Sequence, residues 1–359
     1  MTNSLTAPLI SSDDYVEIVR PLANRRLDVF YNHVFRDSLE AIEGRFVPGD
    51  HVDRWCVRLQ SHTKTATKAA RLHLKSTTFY AFLAWRLYRL LYAADAPAFE
   101  EWLYLSYSEG LSQYHLKKLK RYVEANPWLK PLVSLTDAES ILHYRTPELP
   151  GTSEKREIII ETTGIMTFKR GRHPHGVLAD DVLRDPAVKL DLTQIEKITR
   201  IFLEEVVSMP KEGGYLHVAG TPQDKEDLFH ALTQLTSFNV AEYPAIVDEE
   251  RQVVLWPQMF PFERLVEIRD KEIGKKAFLK EFQCRPVREV SGYFEDAEID
   301  AIIDPSLPPL AIGTTTPGKV YVMGLDLGKK THPSHLVLFE DTGTELVQRL
   351  SRWFDRTDY

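Results

Sequence analysis

The sequence has few cysteines, no long apolar run and no excess of positive charge. Only Cys56 and Cys284 occur among 359 residues, which excludes a disulfide scaffold and a zinc site of four cysteines. Lysine and arginine total 45 against 52 aspartate and glutamate residues, so the net charge is -7. Charge-driven wrapping of DNA is therefore not expected. The composition is typical of a soluble globular protein in a reducing cytosol.

The sequence also lacks the marks of export or of membrane insertion. Residues 1–10 have no basic start and no long apolar run, so no signal peptide is predicted. The most apolar stretch, 79–94, contains Arg86 and Arg89 and is too short to span a bilayer. We expect no contact with a membrane.

Helical and strand patterns alternate along most of the chain. Apolar spacing predicts a helical lead-in within 1–45 and further helices over 51–70, 77–93, 110–124, 191–208 and 224–235. Strands are predicted over 102–107, 177–179 and 215–219, with a β-hairpin over 157–168 that turns at Thr163 and Gly164. This alternation predicts an α/β domain with a mostly parallel sheet covered on both faces.

The pattern changes near residue 305. Residues 305–318 are rich in Pro, Gly and Thr and carry no charge, which predicts a linker after a first domain of residues 1–304. Residues 319–325 and 335–339 then predict two adjacent strands, the start of a second domain over 319–359.

One constellation of chemistry-bearing residues lies in the segment Ala-Arg-Leu-His-Leu-Lys-Ser-Thr, residues 70–77, which leads into a helix. A nucleotide-binding loop needs a helix N-terminus aimed at phosphates, a Lys on the β/γ-phosphates and a Ser or Thr on Mg²⁺. Lys75 and Ser76 have the right order. Leu74, however, stands where the usual motif has Gly. Taken alone, the segment also fits a capped helix with a nearby cation.

Two further constellations lie at the ends of predicted strands. Asp180 and Asp181 follow the apolar segment 177–179, where one carboxylate can hold Mg²⁺ and the other can activate water. Thr221 follows 215–219 within Gly-Thr-Pro, where a hydroxyl can sense the γ-phosphate. Capping of the following turn is the structural alternative for each of them.

Taken in order, these segments resemble the large terminase subunit of tailed bacteriophages. The resemblance covers nearly the whole chain and rests on an ordered set of segments: 46–51 with Trp55, 71–77, 105–108, Asn126-Pro127, 171–174 before Asp180-Asp181, 220–222 with Asp227-Leu228, 255–257 and 278–286.

The resemblance implies a P-loop NTPase of the additional-strand class that uses ATP with Mg²⁺. It also implies a role for each matching residue: ATP binding by His73, Lys75, Ser76 and Thr77; Mg²⁺ binding by Ser76 and Asp180; water activation by Asp181; stabilisation of γ-phosphate charge by Arg71; and coupling of hydrolysis to DNA movement by Thr221. Where many relatives carry Glu, this chain has the shorter Asp181. A Cβ at Leu74 disfavours a left-handed backbone, so the loop should adopt another conformation or bind phosphate less well.

The second domain resembles the opening of an RNase H-like nuclease. Asp326 follows an apolar strand segment and matches the first of several carboxylates that bind two Mg²⁺ or Mn²⁺ ions. An ordinary turn is the alternative. Because the partner acids lie further along such domains, we expect the nuclease in residues 319–359 to be incomplete.

The resemblance implies ATP-driven translocation of double-stranded DNA into a viral procapsid. The expected partners are DNA, a portal protein, a small terminase subunit and further copies in a ring. The expected location is the cytoplasm of an infected bacterium and, transiently, the procapsid. Two alternatives stay open: a helicase-like or repair translocase, and a degenerate DNA- or portal-binding remnant without turnover.

Overall fold

The structure is a computed structural model that describes residues 12–136, 138–169, 171–183, 192–286, 301–304, 306–307, 316–327 and 334–354. The chain divides into two compact units, Met1–Arg288 and Glu289–Tyr359. The linker predicted over 305–318 falls largely outside the described residues. Within the described ranges, no helix combines the length and the apolar character needed to cross a membrane.

The described part of the first unit alternates helices and strands. The helices are α1 (Ser12–Arg25), α2 (Leu27–Phe30), α3 (Arg36–Glu43), α4 (Asp50–Ser61), α5 (Lys75–Tyr92), α6 (Glu109–Ala125), α7 (Leu192–Ile201), α8 (Leu228–Thr233), α9 (Phe262–Glu267) and α10 (Lys275–Glu281). Short π-helical segments span Tyr31–Phe35, Phe202–Val206 and Ile268–Ile273. The strands are β1 (Lys64–Ala69), β2 (Phe99–Ser106), β3 (Val133–Ser134), β4 (Ile141–Arg145), β5 (Glu157–Gly164), β6 (Gly176–Asp180), β7 (Tyr215–Gly220), β8 (Asn239–Tyr243), β9 (Ile246–Asp248) and β10 (Val253–Val254).

Eight of these strands form one sheet in the order β3-β4-β5-β2-β6-β7-β1-β8. The strands from β5 to β8 in this order are all parallel to their neighbours, while β3 and β4 add an antiparallel edge. One strand, β7, lies between β1, which leads into the lysine loop, and β6, which ends at Asp180. This arrangement confirms the mostly parallel sheet and the additional strand expected of the P-loop class.

Helices cover both faces of this sheet. The alternation of side chains along β2 shows the two faces, because Trp102 and Tyr104 join one core cluster while Leu103 and Leu105 join another. The first cluster includes side chains of α1 to α6, and the second includes side chains of α7 and α8. Because β1, β6 and β7 are parallel, their carboxyl ends lie along one edge of this doubly covered sheet.

The helix predicted over 51–70 is wrong in its second half. Helix α4 ends at Ser61, and Lys64–Ala69 form strand β1 between β7 and β8. The strand contains no large apolar residue, so its sequence pattern does not predict a central strand. Its buried threonines are satisfied in place: Thr65 Oγ1 lies 3.0 Å from His217 Nδ1, and Thr67 Oγ1 accepts a hydrogen bond from Arg58 at 3.1 Å.

The hairpin predicted over 157–168 is also wrong. Residues Glu157–Gly164 form one continuous strand, β5, which pairs with β2 on one side and β4 on the other. At the end of this strand the backbone at the start of α6 approaches Gly164 closely, so that a Cβ there would lie 2.8 Å from Glu109 N. The glycine marks a close approach and not a hairpin turn.

The described part of the second unit is a three-stranded antiparallel sheet in the order β11-β12-β13. Its strands are β11 (Val320–Asp326), β12 (Ser334–Asp341) and β13 (Leu346–Phe354). The two strands predicted over 319–325 and 335–339 are therefore present as β11 and β12.

Candidate functional site

A loop of residues 70–74 connects β1 to α5. Leu74 precedes the helix with φ 66° and ψ 25°, in the left-handed region, and Leu72 has φ 65°. Of the two outcomes expected from Leu74, a different loop conformation is wrong, because the left-handed turn forms without glycine. Weaker phosphate binding stays a prediction. The first N–H groups of α5 have no acceptor within the helix, and such groups form an anion-binding site.

Packing offsets the strain at Leu74. A non-glycine residue in this conformation costs about 1–2 kcal/mol. The Leu74 side chain is partly buried and packs against two core clusters, which recovers free energy through apolar burial. Apolar packing of Leu74 thus stabilises a turn whose backbone is locally strained.

The buried side chain of His73 stabilises the loop. Its ring is fully buried, stacks on Phe260 at 5.0 Å and donates a hydrogen bond from Nδ1 to the Arg71 carbonyl at 2.8 Å. Burial lowers the pKa of His73 to about 4, so the ring is neutral near pH 7. The His73 side chain, which was expected to bind ATP, therefore packs in the core. Only the backbone of His73 is left to contact a ligand of the loop.

Lys75 is the first residue of α5 and is only 9% exposed. Its Nζ donates a hydrogen bond to Thr221 Oγ1 at 3.0 Å and lies 3.4 Å from the carbonyl oxygen of Ala69. The lysine expected at the phosphates and the threonine expected to couple hydrolysis to movement are thus in direct contact. The Lys75 side chain is therefore buried beside the end of β7 and does not face solvent.

Asp180 and Asp181 lie at the end of β6, as expected from the sequence. Asp180 is fully buried, and its Oδ2 accepts a hydrogen bond of 2.6 Å from the hydroxyl of Tyr104. Its other oxygen, Oδ1, has no hydrogen-bond partner among the described residues. A buried carboxylate oxygen without a partner is costly, and a cation bound there would satisfy it.

Asp181 has a different environment from Asp180. Its backbone has φ 47°, and its carboxylate lines a cleft and accepts a hydrogen bond from the backbone of Thr221. Burial raises the pKa of Asp181, and the positive charge of Lys75 opposes that rise. A carboxylate with raised basicity beside the loop suits the role of a proton acceptor.

Three buried side chains that the sequence did not single out surround Asp180. Tyr104 comes from β2, Tyr80 from α5 and His115 from α6. His115 Nδ1 shares a hydrogen bond with the Tyr80 hydroxyl and lies 3.9 Å from Asp180 Oδ2. A histidine among Ser112, Leu116 and Leu119 on the buried face of α6 was the available signal.

The turn after β7 is held by its own side chains. Gln223 Nε2 donates to the carbonyl of Thr221 at 2.8 Å, and Asp227 Oδ2 accepts from the backbone of Gln223 at 2.6 Å. Asp227 also caps α8 by accepting from the N–H groups of Phe229 and His230. Thr221 is therefore fixed in position relative to α8.

Arg71 lies at the rim of the site. Its side chain is 63% exposed, and Nη1 lies 3.8 Å from the carboxylate of Glu281. Arg71 lines the same cleft as Ser76 and Thr77. The structure thus places it near the loop, with its charged group paired to Glu281.

A cleft of about 540 Å³ is lined by Arg71, Lys75, Ser76, Thr77 and Asp181, whereas Asp180 and Thr221 do not belong to its lining. Its polar wall is formed by the loop, the start of α5 and Asp181, and aromatic side chains line much of the remainder. This volume lies within the range of small-ligand and cofactor sites. The apolar and aromatic lining includes Tyr31, Phe46, Val47, Tyr122, Trp256, Met259 and Phe260.

Asp326 ends strand β11 in the second unit. It pairs in register with His335, while Glu340 and Asp341 pair with Tyr321 and Val320 at the opposite end of β11. Among the described residues, no cluster of three or more His, Cys, Asp or Glu side chains could hold a metal ion. The described strands therefore bring no second carboxylate beside Asp326.

Comparisons with known proteins identify the fold. No protein-family model matches the chain, and no curated protein matches it. Among solved structures, the chain is similar to the crystal structure of the HK97 bacteriophage large terminase. The sequences are 15% identical, the match covers 92% of this chain and 67% of that chain, and the TM-score is 0.51. At this identity the likeness shows the fold, which agrees with the fold expected from the sequence.

Proposed function

We propose that this chain is the ATPase of a viral DNA-packaging motor, a large terminase subunit that converts ATP hydrolysis into movement of double-stranded DNA. The observation that carries the proposal is the meeting of Lys75, Asp181 and Thr221 at one edge of the sheet. Three sequence segments predicted separately to act on a nucleotide are brought into contact by the order of β1, β7 and β6. The fold shared with a phage large terminase supports it.

ATP binding is assigned to the loop and the start of α5. The N–H groups of Lys75, Ser76 and Thr77 and the Lys75 ammonium would hold the β- and γ-phosphates. His73 contributes through its backbone, because its ring is buried against Phe260. The aromatic wall of the cleft would pack against the base and the ribose.

Mg²⁺ binding is assigned to Ser76 and Asp180. The buried and unpartnered Oδ1 of Asp180 fits a cation ligand, and hydroxyl and carboxylate oxygens are the ligands that Mg²⁺ prefers. Bound there, Mg²⁺ would neutralise charge on the β- and γ-phosphates.

The remaining roles belong to this chain's own side chains. Asp181 would accept a proton from the attacking water, since its environment raises its proton affinity. Arg71 would leave Glu281 to stabilise charge on the γ-phosphate. Thr221 would register the phosphate through Lys75 and pass the change to α8 through the fixed turn at Gln223 and Asp227.

The wider function follows from the same proposal. The partners would be double-stranded DNA, a portal protein, a small terminase subunit and further copies of this chain in a ring. The motor would act in the cytoplasm of an infected bacterium and on the procapsid. In the second unit, Asp326 would be one ligand of a nuclease site for Mg²⁺ or Mn²⁺ whose other acids the described strands do not supply.

Equilibrium binding of a fluorescent ATP analogue tests the proposal. We expect Lys75→Ala to lose binding and Lys68→Ala to retain it, because Lys68 pairs with Glu242 on β8 and does not line the cleft. Absence of binding by the unmodified chain would favour a degenerate remnant. ATP turnover stimulated by DNA alone, without added stimulation by procapsids, would favour a helicase-like or repair translocase.

A further inference from the structure

The buried polar side chains behind Asp180 connect the two proposed metal ligands. The Tyr80 hydroxyl lies beside the Ser76 side chain and hydrogen-bonds to Nδ1 of His115. His115 in turn lies beside Asp180, whose Oδ2 accepts from Tyr104. The chain of contacts runs from the start of α5 to the end of β6.

This bridge lies almost wholly out of solvent. Tyr80 is 2% exposed and Tyr104 is 1% exposed. Their rings lie 6.3 Å apart, and the Tyr104 ring stacks on His115 at 5.4 Å. A change of rotamer in either tyrosine would open a void or bury an unpaired hydroxyl, which disfavours such a change.

The hydrogen bond from Tyr104 makes the two oxygens of Asp180 inequivalent. Oδ2 is occupied by the phenol, whereas Oδ1 has no partner among the described residues. An acid held in this way offers a cation one oxygen only. Mg²⁺ demands near-ideal octahedral geometry with single oxygens, whereas Ca²⁺ accepts carboxylates in bidentate form and a more variable geometry.

We propose that Tyr104, His115 and Tyr80 form a positioning bridge that fixes Asp180 and Ser76 for one-oxygen binding of a small divalent cation. The proposal rests on the proposed nucleotide site. It adds three residues, from β2, α6 and α5; of these, Tyr80 and His115 also line the cleft, whereas Tyr104 lies outside its lining. The bridge tightens cation binding and favours Mg²⁺ and Mn²⁺ over Ca²⁺.

Three tyrosine-to-phenylalanine variants of the full chain test the bridge, because each loses one hydroxyl and little volume. Tyr104→Phe frees Oδ2 of Asp180, and Tyr80→Phe breaks the link between Ser76 and His115. Tyr88→Phe is the matched control, since the Tyr88 hydroxyl is buried in α5 without a hydrogen-bond partner among the described residues. Mn²⁺ bound in the presence of ADP is counted by electron paramagnetic resonance, and Ca²⁺ competition is measured in the same samples.

We expect Tyr104→Phe to weaken Mn²⁺ binding by about tenfold, the lower end of the effect of losing an outer-shell partner. Tyr80→Phe should weaken it by a smaller factor, and Tyr88→Phe should match the unmodified chain. Discrimination against Ca²⁺ should fall in Tyr104→Phe. Binding of ADP without metal should not change in Tyr104→Phe or Tyr88→Phe, because neither side chain lines the cleft.

The contrary results are distinct. Unchanged Mn²⁺ affinity in both bridge variants, with lowered thermal stability, would show that the cluster only packs the core and would overturn the proposal. If Tyr104→Phe does not fold, Tyr80→Phe alone tests the proposal. Unchanged Mn²⁺ affinity in Tyr80→Phe would then overturn it. Failure of the unmodified chain to bind ADP at all would overturn the proposed nucleotide site and the bridge with it.

Discussion

The ammonium of Lys75 donates a hydrogen bond of 3.0 Å to the hydroxyl of Thr221, across 146 residues of sequence. Lys75 begins α5 and Thr221 follows β7, so the bond connects the loop after β1 with the neighbouring strand. A bound γ-phosphate would compete for the same ammonium. Binding and loss of phosphate would therefore change the partner of Thr221, which is a direct physical route from nucleotide state to the turn before α8.

The two acids at the end of β6 should fail in different ways. Asp181→Asn should keep Mg²⁺-dependent nucleotide binding but lose hydrolysis by roughly 10²-fold or more, the usual scale for a lost general base. Asp180→Asn should weaken Mg²⁺-dependent nucleotide binding, because it removes the negative charge of the carboxylate whose Oδ1 is proposed to bind the cation. Single-turnover hydrolysis and nucleotide titration separate the effects. Equal and mild losses in both variants would favour capping roles.

The strain at Leu74 predicts an order of stability. Leu74→Gly loses packing but relieves the left-handed conformation, whereas Leu74→Ala loses packing and keeps the strain. The free energy of unfolding of Leu74→Gly should therefore be about 1 kcal/mol higher than that of Leu74→Ala, after the entropy cost of glycine is subtracted. Urea denaturation measures both. An alanine variant that is equal or more stable would contradict the strain.

The same glycine variant tests the loop's function. Because the backbone already has the left-handed turn, Leu74→Gly should leave ATP affinity unchanged or somewhat lower, through added loop entropy. A large gain in affinity would show that the native leucine obstructs phosphate binding. That outcome would strengthen the alternative of a remnant without turnover.

Three buried histidines predict acid sensitivity. Burial lowers the pKa of His51 and His73 to about 4 and that of His217 to about 3. The unfolded chain binds their protons below pH 6.5 while the folded chain does not, so stability falls as pH drops from 6.5 towards 4. At pH 5, each of His51 and His73 should lower the free energy of unfolding by about 2 kcal/mol. Urea denaturation at pH 7.5 and pH 5 measures the loss.

A pair of variants assigns this pH dependence. His51→Phe should reduce the difference in unfolding free energy between the two pH values, because it removes one buried imidazole. His33→Gln, which changes an exposed histidine, should leave the difference unchanged. Equal pH dependence in both variants would exclude His51 as a source.

DNA cleavage should be absent from this 359-residue chain. Two-metal chemistry requires several carboxylates around ions roughly 3.5–4 Å apart. The described acids of β12 pair with the opposite end of β11 from Asp326. Incubation with plasmid DNA and Mn²⁺ checks this. Cleavage that disappears in Asp326→Ala would prove the prediction wrong.

The local motifs of the site were predictable, whereas the contacts between them were not. Lys75, Asp180, Asp181 and Thr221 each stand in a short segment whose residue types announce their chemistry. Strand β1 was missed because it contains no large apolar residue, and its buried threonines find their partners on α4 and β7. The left-handed Leu74 was not foreseen because its packing depends on two core clusters.

The residues around Asp180 show the same limit. Tyr80, Tyr104 and His115 come from two helices and one strand, and nothing in their own segments points to a shared partner. Their grouping depends on the placement of α5 and α6 over the sheet. A polar residue on a buried helical face signals only that some partner exists.

ATP hydrolysis by the purified chain tests the central claim most directly. The rate is measured with and without Mg²⁺ and with and without double-stranded DNA, beside Lys75→Ala under the same conditions. We predict turnover that requires Mg²⁺ and is abolished in Lys75→Ala, with both proteins giving the same circular dichroism spectrum. Turnover by Lys75→Ala at the unmodified rate would remove Lys75 from the site and contradict the account.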